Sequence, residues 1–339
     1  MMSFLVHLAL SRSLVATMNP HAISNRCIVM MAGKSRKGSA TSKPASKGGF
    51  GGFGAKPPKR AVIPSLQLNT GAEVPALCFG TYRCNGEPLG KALEHAIATG
   101  YRHFDTAHGY QNEAVVGAAI ARSGVPREDF FITTKLWCAD HGEQRTRLAI
   151  ESSLNELGTH ADLFLMHAPS NDGRSPSEVV DLRQQSWLVM EELHRAGSLR
   201  AIGVSNFEPR HIDGILDCGT VTPAVNQVEL HAHLAQREMR AYCASHQILV
   251  EAFGSVGATG LRADPVVQEI AAAHKRTPAQ VSLRLGLQRG AVVLAKSLTP
   301  KRIEENTKLF DFELSSDEVA ALDALDAGRR TYWDNSGVP

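Results

Sequence analysis

Gly100-Tyr101-Arg102-His103-Phe104-Asp105-Thr106-Ala107-His108-Gly109-Tyr110-Gln111-Asn112-Glu113 decides the fold. It begins as a short apolar strand and ends by opening a helix. An acid, Asp105, stands at the strand's end, and Tyr110 follows in the connecting loop. A carboxylate and a phenol therefore share one mouth of an α/β fold. A phenol of pKa near 10 is a poor acid at neutral pH unless a cation lowers it. Lys135, in Phe130-Phe131-Ile132-Thr133-Thr134-Lys135-Leu136-Trp137, offers that cation one strand later. His167, in Asp162-Leu163-Phe164-Leu165-Met166-His167-Ala168-Pro169, follows one strand further. Together the four residues make a proton donor with its tuning groups.

Outward from this stretch, short β-branched or apolar runs alternate with amphipathic helical runs, the sign of βα units and a parallel sheet. The pattern predicts strands over 77–81, 103–107, 131–136, 163–167, 201–205, 225–230, 249–253 and 292–296. Helices are expected in the gaps, among them 142–157 and 277–288, the latter with Thr277 as cap and Pro278 at the first helical position. Residues 65–75 read as a hairpin turning at Asn69-Thr70-Gly71, a plug for the barrel's bottom. Eight strands at a spacing of about 30 residues argue for a closed (β/α)8 barrel. No G-x-G-x-x-G follows the first strand, which counts against an open dinucleotide-binding sheet. In such a barrel the active site lies at the C-terminal ends of the strands. Asp105, Lys135, His167, Asn206, Gln227, Phe253 and Lys296 all fall there.

With these motifs in place the chain resembles the aldo-keto reductases, NADPH-dependent carbonyl reductases built on that barrel. The likeness runs from about residue 65 to the end. It includes Leu68-Asn69-Thr70-Gly71-Ala72-Glu73-Val74-Pro75, Ala201-Ile202-Gly203-Val204-Ser205-Asn206-Phe207, Val225-Asn226-Gln227-Val228-Glu229-Leu230-His231 and Ala295-Lys296-Ser297. The resemblance implies a catalytic tetrad of Asp105, Tyr110, Lys135 and His167. Tyr110 would be the general acid, Lys135 would lower its pKa, Asp105 would hold Lys135, and His167 would orient the carbonyl. It implies NADPH as cofactor, no metal, a small-molecule carbonyl substrate, and a monomer.

Cofactor contacts are expected along one arc of strand ends. Gly80, Thr81 and Tyr82 follow the first strand, and Asp105 the second. Ser205, Asn206 and Gln227 suit a carboxamide, because Asn and Gln offer both donors and acceptors. Phe253 would stack on nicotinamide, and Gly254, Val256 and Gly257 would cover the pyrophosphate. Lys296, Ser297, Leu298, Thr299 and Arg302 can surround a 2′-phosphate, which a planar guanidinium matches well. Glu305 and Asn306 would face adenine. For the substrate pocket Tyr82, His108, Trp137, His167 and Ala168 are the candidates. The family usually has Trp-Pro after the histidine, and here Ala168-Pro169 stands there. Tyr82 replaces a common Trp, and the tail after Trp333 is short, so a wider, less apolar pocket is expected.

Charge separates two parts. Residues 1–60 hold ten Lys/Arg and no acid, leaving 26 basic and 34 acidic residues, a formal −8, in 61–339. An acidic body gives no reason to expect nucleic-acid binding. The basic, Ser/Ala/Gly-rich leader fits an organelle transit peptide, plastid before mitochondrion. A secretory signal, or a disordered tail with no address and a cytoplasmic protein, are its rivals. The body from residue 61 is the barrel domain. The six cysteines show no C-x-x-C spacing or zinc-ligand pattern and read as reduced thiols. No apolar run approaches a membrane span. Two other functions are compatible with a barrel: a non-catalytic, NADPH-binding regulatory subunit, and a glycosidase using Asp105 with Glu229.

Overall fold

The computed structural model describes residues 60–169, 174–256 and 260–339. The leader expected over 1–60 lies outside them except for its last residue. So does Gly257.

A hairpin of β1 (Ser65–Gln67) and β2 (Glu73–Pro75) precedes the barrel. Its turn is closed by Gly71 N–H donating to Leu68 O, with Gly71 at φ 83°. Leu68 and Val74 pack into the barrel floor beside Phe131, Leu163 and Val225, so the hairpin is the plug.

Eight parallel strands follow: β3 (Leu77–Gly80), β4 (His103–Asp105), β5 (Phe131–Leu136), β6 (Leu163–Met166), β7 (Ala201–Ser205), β8 (Val225–Glu229), β9 (Leu249–Phe253) and β10 (Val292–Ala295). They close in the order β10-β3-β4-β5-β6-β7-β8-β9. Several end one or two residues before the predicted limits. Thr106, His167 and Leu230 still donate one further ladder bond, to Thr133, Leu136 and Phe253. Beyond that bond the chain peels away, so these residues stand at the rim.

Strand side chains alternate between two faces. Leu77, Phe79, Phe104, Ile132, Phe164 and Met166 face the helical layer, whereas Cys78, Phe131, Leu163 and Leu165 fill the interior. That parity directs Asp105, Lys135 and Gln227 inward. The layer of α1 (Gly86–Thr99), α2 (Glu113–Arg122), α3 (Glu143–Leu157), α4 (Pro176–Arg195), α5 (Pro209–Leu216), α6 (Arg237–Ser245), α7 (Pro265–Ala273), α8 (Pro278–Gln288), α9 (Pro300–Glu305) and α10 (Ser316–Asp323) surrounds them. Helix α8 starts as expected: Thr277 Oγ1 accepts from Gln280 N–H at 3.2 Å, with Pro278 at the first position. Among the described residues no helix is long and apolar enough to cross a membrane.

Candidate active site

Lys135 lies fully buried on β5, and its ammonium makes four contacts. It donates to Asp105 Oδ1 at 2.8 Å, Asp105 Oδ2 at 2.7 Å, Thr106 O at 2.8 Å and the Tyr110 hydroxyl at 3.4 Å. Burial alone would lower its pKa, but the charges of Asp105 and Tyr110 more than reverse this and raise it. Tyr110 differs from expectation. Burial pushes the phenol up to about 12, and Lys135 pulls it only part of the way back. The cation therefore moderates an upward shift rather than producing a net fall, and the phenol keeps its proton at neutral pH.

His167 completes the group, with Nε2 at 3.4 Å from the Tyr110 hydroxyl. Burial first, and then Lys135, hold the imidazole well below its usual pKa, so it is neutral. Its Nδ1 has no hydrogen-bond partner among the described residues. The Tyr110 loop passes close under Trp137: a Cβ on Gly109 would come within 2.7 Å of the indole. Asn112 clamps the same loop, donating to Thr81 O and Cys84 O at 3.0 and 2.8 Å. This buried Asn lies inside the stretch that decided the fold, yet nothing local distinguishes it from an ordinary helix cap.

Gly80, Tyr82, Asp105, Tyr110 and His167 line one side of a cleft of about 710 Å³, with Ser205, Asn206, Gln227 and Phe253 opposite. The amides are less free than expected. Gln227 Nε2 donates to Asp105 Oδ2 at 2.8 Å and to Glu251 Oε2 at 2.9 Å. Asn206 Nδ2 donates to His167 O and Ser205 Oγ, and Ser205 Oγ donates to Gln227 O. Their N–H groups are used inside the protein, so acceptors are what they offer the cleft. Thr81 is buried outside it, donating to Asp105 O at 2.9 Å.

A second lobe of about 1180 Å³ joins the first at Gly254, Leu294, Lys296 and Tyr332. Val256, Ser297, Arg302, Glu305 and Asn306 line it, as do Arg262 and Gln268, which the sequence did not single out. Lys296 Nζ donates to Tyr82 O at 3.0 Å, so this ammonium spans the cleft toward the first loop. Ser297 Oγ accepts from Thr299 N–H at 3.0 Å, shaping the turn before α9. Leu298 is exposed and lines neither lobe.

Residues 76–327 match the model of the aldo/keto reductase family. The chain belongs to that family. An aldo-keto reductase of Mycolicibacterium vanbaalenii is 44% identical over 271 residues, covering 80% of this chain and 95% of the relative. The morphine 6-dehydrogenase of Pseudomonas putida is 40% identical over 289 residues, covering 81% and 95%. The crystal structure of an aldo/keto reductase from Brucella melitensis superposes with a TM-score of 0.73 at 38% identity, covering 78% of this chain and 100% of that one. The protein is an oxidoreductase acting on carbonyl groups.

Three expected pocket walls of this aldo-keto reductase stand elsewhere. Ala168 is only 2% exposed and outside the cleft lining. His108 turns its ring to the buried Glu113, Nδ1 to Oε2 at 3.6 Å. Trp137, half-buried, is outside the cleft lining, its ring 5.1 Å from that of His167 and 5.8 Å from that of Trp333, centroid to centroid. The short tail supplies the wall instead: Tyr332 and Trp333 both line the cleft. Glu229 holds them there, accepting from the backbone N–H of Thr331 at 2.8 Å and of Tyr332 at 3.1 Å. That use of Glu229, with His231 on the same carboxylate at 2.9 Å, removes it as a glycosidase partner for Asp105. Arg183 and Arg210 pin the chain's last residues through Pro339 O and Ser336 O.

Proposed function

We propose that the protein reduces aldehydes, and ketones of similar bulk, to alcohols with NADPH, using Tyr110 as general acid. The observation that supports this best is the Tyr110 hydroxyl 3.4 Å from both Lys135 Nζ and His167 Nε2 at the floor of an open cleft. A non-catalytic nucleotide-binding subunit would need no such proton donor.

The two joined lobes fit the cofactor by their chemistry. Gln227, Ser205 and Asn206 offer acceptors to a carboxamide, and Phe253 offers an aromatic face. Arg302, Lys296 and Ser297 offer charge and hydroxyl to a 2′-phosphate, with Asn306 and Glu305 beside them for adenine. Bound there, NADPH would supply the hydride to the carbonyl carbon.

The protein's own residues do the rest. His167, neutral, orients the carbonyl oxygen toward Tyr110. Tyr110 gives its proton to that oxygen as the C=O double bond becomes an alcohol, leaving a phenolate. Lys135 stabilises that phenolate, and Asp105 fixes Lys135 with a bidentate contact. Positioned proton donation typically contributes about 10²–10⁴-fold. Trp333 and Tyr82 set the width of the opening.

The barrel is the catalytic domain and acts as a monomer, and residues 1–60 address it to an organelle, a plastid first. A reporter joined to those residues should enter the organelle; a cytosolic reporter would contradict the address. The activity itself is tested by a panel of carbonyl substrates with NADPH oxidation followed at 340 nm. Turnover with NADPH and little with NADH is expected. Nucleotide binding without turnover of any reactive aldehyde would contradict it.

A further inference from the structure

Glu251 is a buried acid inside the barrel that this chemistry leaves unused. It lies on β9 with no solvent exposure, inside the barrel and below the cleft. Oε2 accepts from Gln227 Nε2 at 2.9 Å, and Oε1 has no hydrogen-bond partner among the described residues. Its nearest basic group is His103 Nε2, at 3.8 Å from Oε1.

The state of His103 bears on the acid. His103 Nδ1 lies 3.2 Å from Pro75 O, a pure acceptor, so Nδ1 carries the hydrogen. Burial holds the imidazole down, to about 4, and it is neutral. Nε2 is then an acceptor, filled by the Thr133 hydroxyl at 3.0 Å. Nε2 therefore brings neither an N–H nor a charge to Glu251 Oε1, and an ionised carboxylate there would gain nothing from His103. The interior holds one cation, Lys135, among the described groups around Glu251, and Asp105 already neutralises it. A second anion would be unpaired in a dry site, which is costly. Glu251 is accordingly protonated in acid, with burial as the main cause of a pKa raised to about 7.

A single amide joins this acid to the site. Gln227 gives one N–H to Asp105 and the other to Glu251. Two carboxylate acceptors fix which way the amide points, leaving Oε1 for the cleft. We propose that Glu251 is a positioning residue: it orients Gln227, and its ionisation places a negative charge behind the nicotinamide end of the cleft, favouring the oxidised, cationic nicotinamide over the reduced, neutral one. The proposal rests on the reading that the cleft takes NADPH. No atom is transferred; the effect is electrostatic.

Other groups facing Glu251 keep their charge in this range. Cys78 is pushed well up by burial, with the charges of Asp105 and Glu251 adding to the shift. Tyr110 is held at about 12 and His167 well below its usual value. Lys135 is raised.

Two measurements on the full-length protein test the idea separately. Infrared spectra of the cofactor-free protein, wild type minus Glu251→Gln, should show a buried carboxylic-acid C=O band at pH 6 that disappears by pH 8.5. Absence of that band at pH 6 overturns the proposal whatever the protein binds. Dissociation constants for NADP+ and NADPH are then measured from pH 6 to 8.5, and their ratio is taken. Both nucleotides carry the same 2′-phosphate, so its titration cancels. In the wild type the ratio Kd(NADP+)/Kd(NADPH) should fall about tenfold, the order of effect of one unit charge acting across a protein interior at an effective dielectric of about 20. In Glu251→Gln it should stay flat. An equal pH dependence in both proteins overturns the proposal. Failure of either nucleotide to bind overturns the cofactor reading, and with it the nucleotide half of this one, while the acid band would still report the protonation of Glu251. Should Glu251→Gln not fold, Glu251→Leu, apolar and of similar volume, serves in both arms.

Discussion

Lys135 Nζ stands 2.7 Å from Asp105 Oδ2, with the lysine side chain fully buried and the aspartate nearly so. Removing one member of such a pair strands the other's charge, at a cost of about 3–5 kcal/mol. Asp105→Ala and Lys135→Met should each lose that much in urea unfolding. The double variant should lose clearly less than the sum of the two. Additive losses would mean that the pair is not coupled in the folded protein.

Glu229 is the clasp of the C-terminal tail. Burial alone would raise its pKa, but hydrogen bonds from His231, Thr331 and Tyr332 outweigh this and lower it. A depressed carboxylate contributes stability that is present at neutral pH and lost as pH falls through its folded value. Glu229→Gln should weaken the clasp by about 1.5–3 kcal/mol, the worth of a hydrogen bond to a charged group. Limited proteolysis should then cut the tail faster at pH 7, and KM for bulky carbonyls should change more than KM for small ones. A tail equally protected in both proteins would remove Glu229 from this role.

Arg302 stands exposed on α9 at the second lobe. Arg302→Ala should weaken NADPH by roughly 10–150-fold, the equivalent of about 1.5–3 kcal/mol for a charge-assisted contact. NADH, which lacks the 2′-phosphate, should be almost unaffected. Equal losses measured by fluorescence titration would mean that Arg302 does not read the phosphate.

Much of this site was legible because barrel strands obey simple rules. Period-two alternation and the strand-end rule bring Asp105, Lys135 and His167 to one rim without knowledge of any partner. Thr277 and Pro278 announced the start of α8 by local chemistry alone. What stayed hidden depends on distant pairing. Gln227 meets Asp105 across 122 residues, and Thr331 meets Glu229 across 102. Periodicity says which face a side chain takes, not what it touches there. Ala168 and His108 lie next to His167 and near Tyr110 in sequence, yet local packing turns them away from the cleft. Tyr332 and Trp333, in a short tail without regular pattern, take their place. Lys135 does lower the phenol's pKa, but burial outweighs the cation, and burial is a property of the fold.

The central claim is that Tyr110 is the acid, and Tyr110→Phe tests it most directly. The change removes the hydroxyl that touches Lys135 and His167 and keeps the ring that packs on Tyr82, 5.1 Å away between centroids. NADPH affinity should stay within about threefold, while kcat for an aldehyde should fall by about 10²–10⁴. A variant that binds NADPH normally and keeps more than about a tenth of wild-type turnover, against the 10²-fold loss expected for such an acid, would contradict the account.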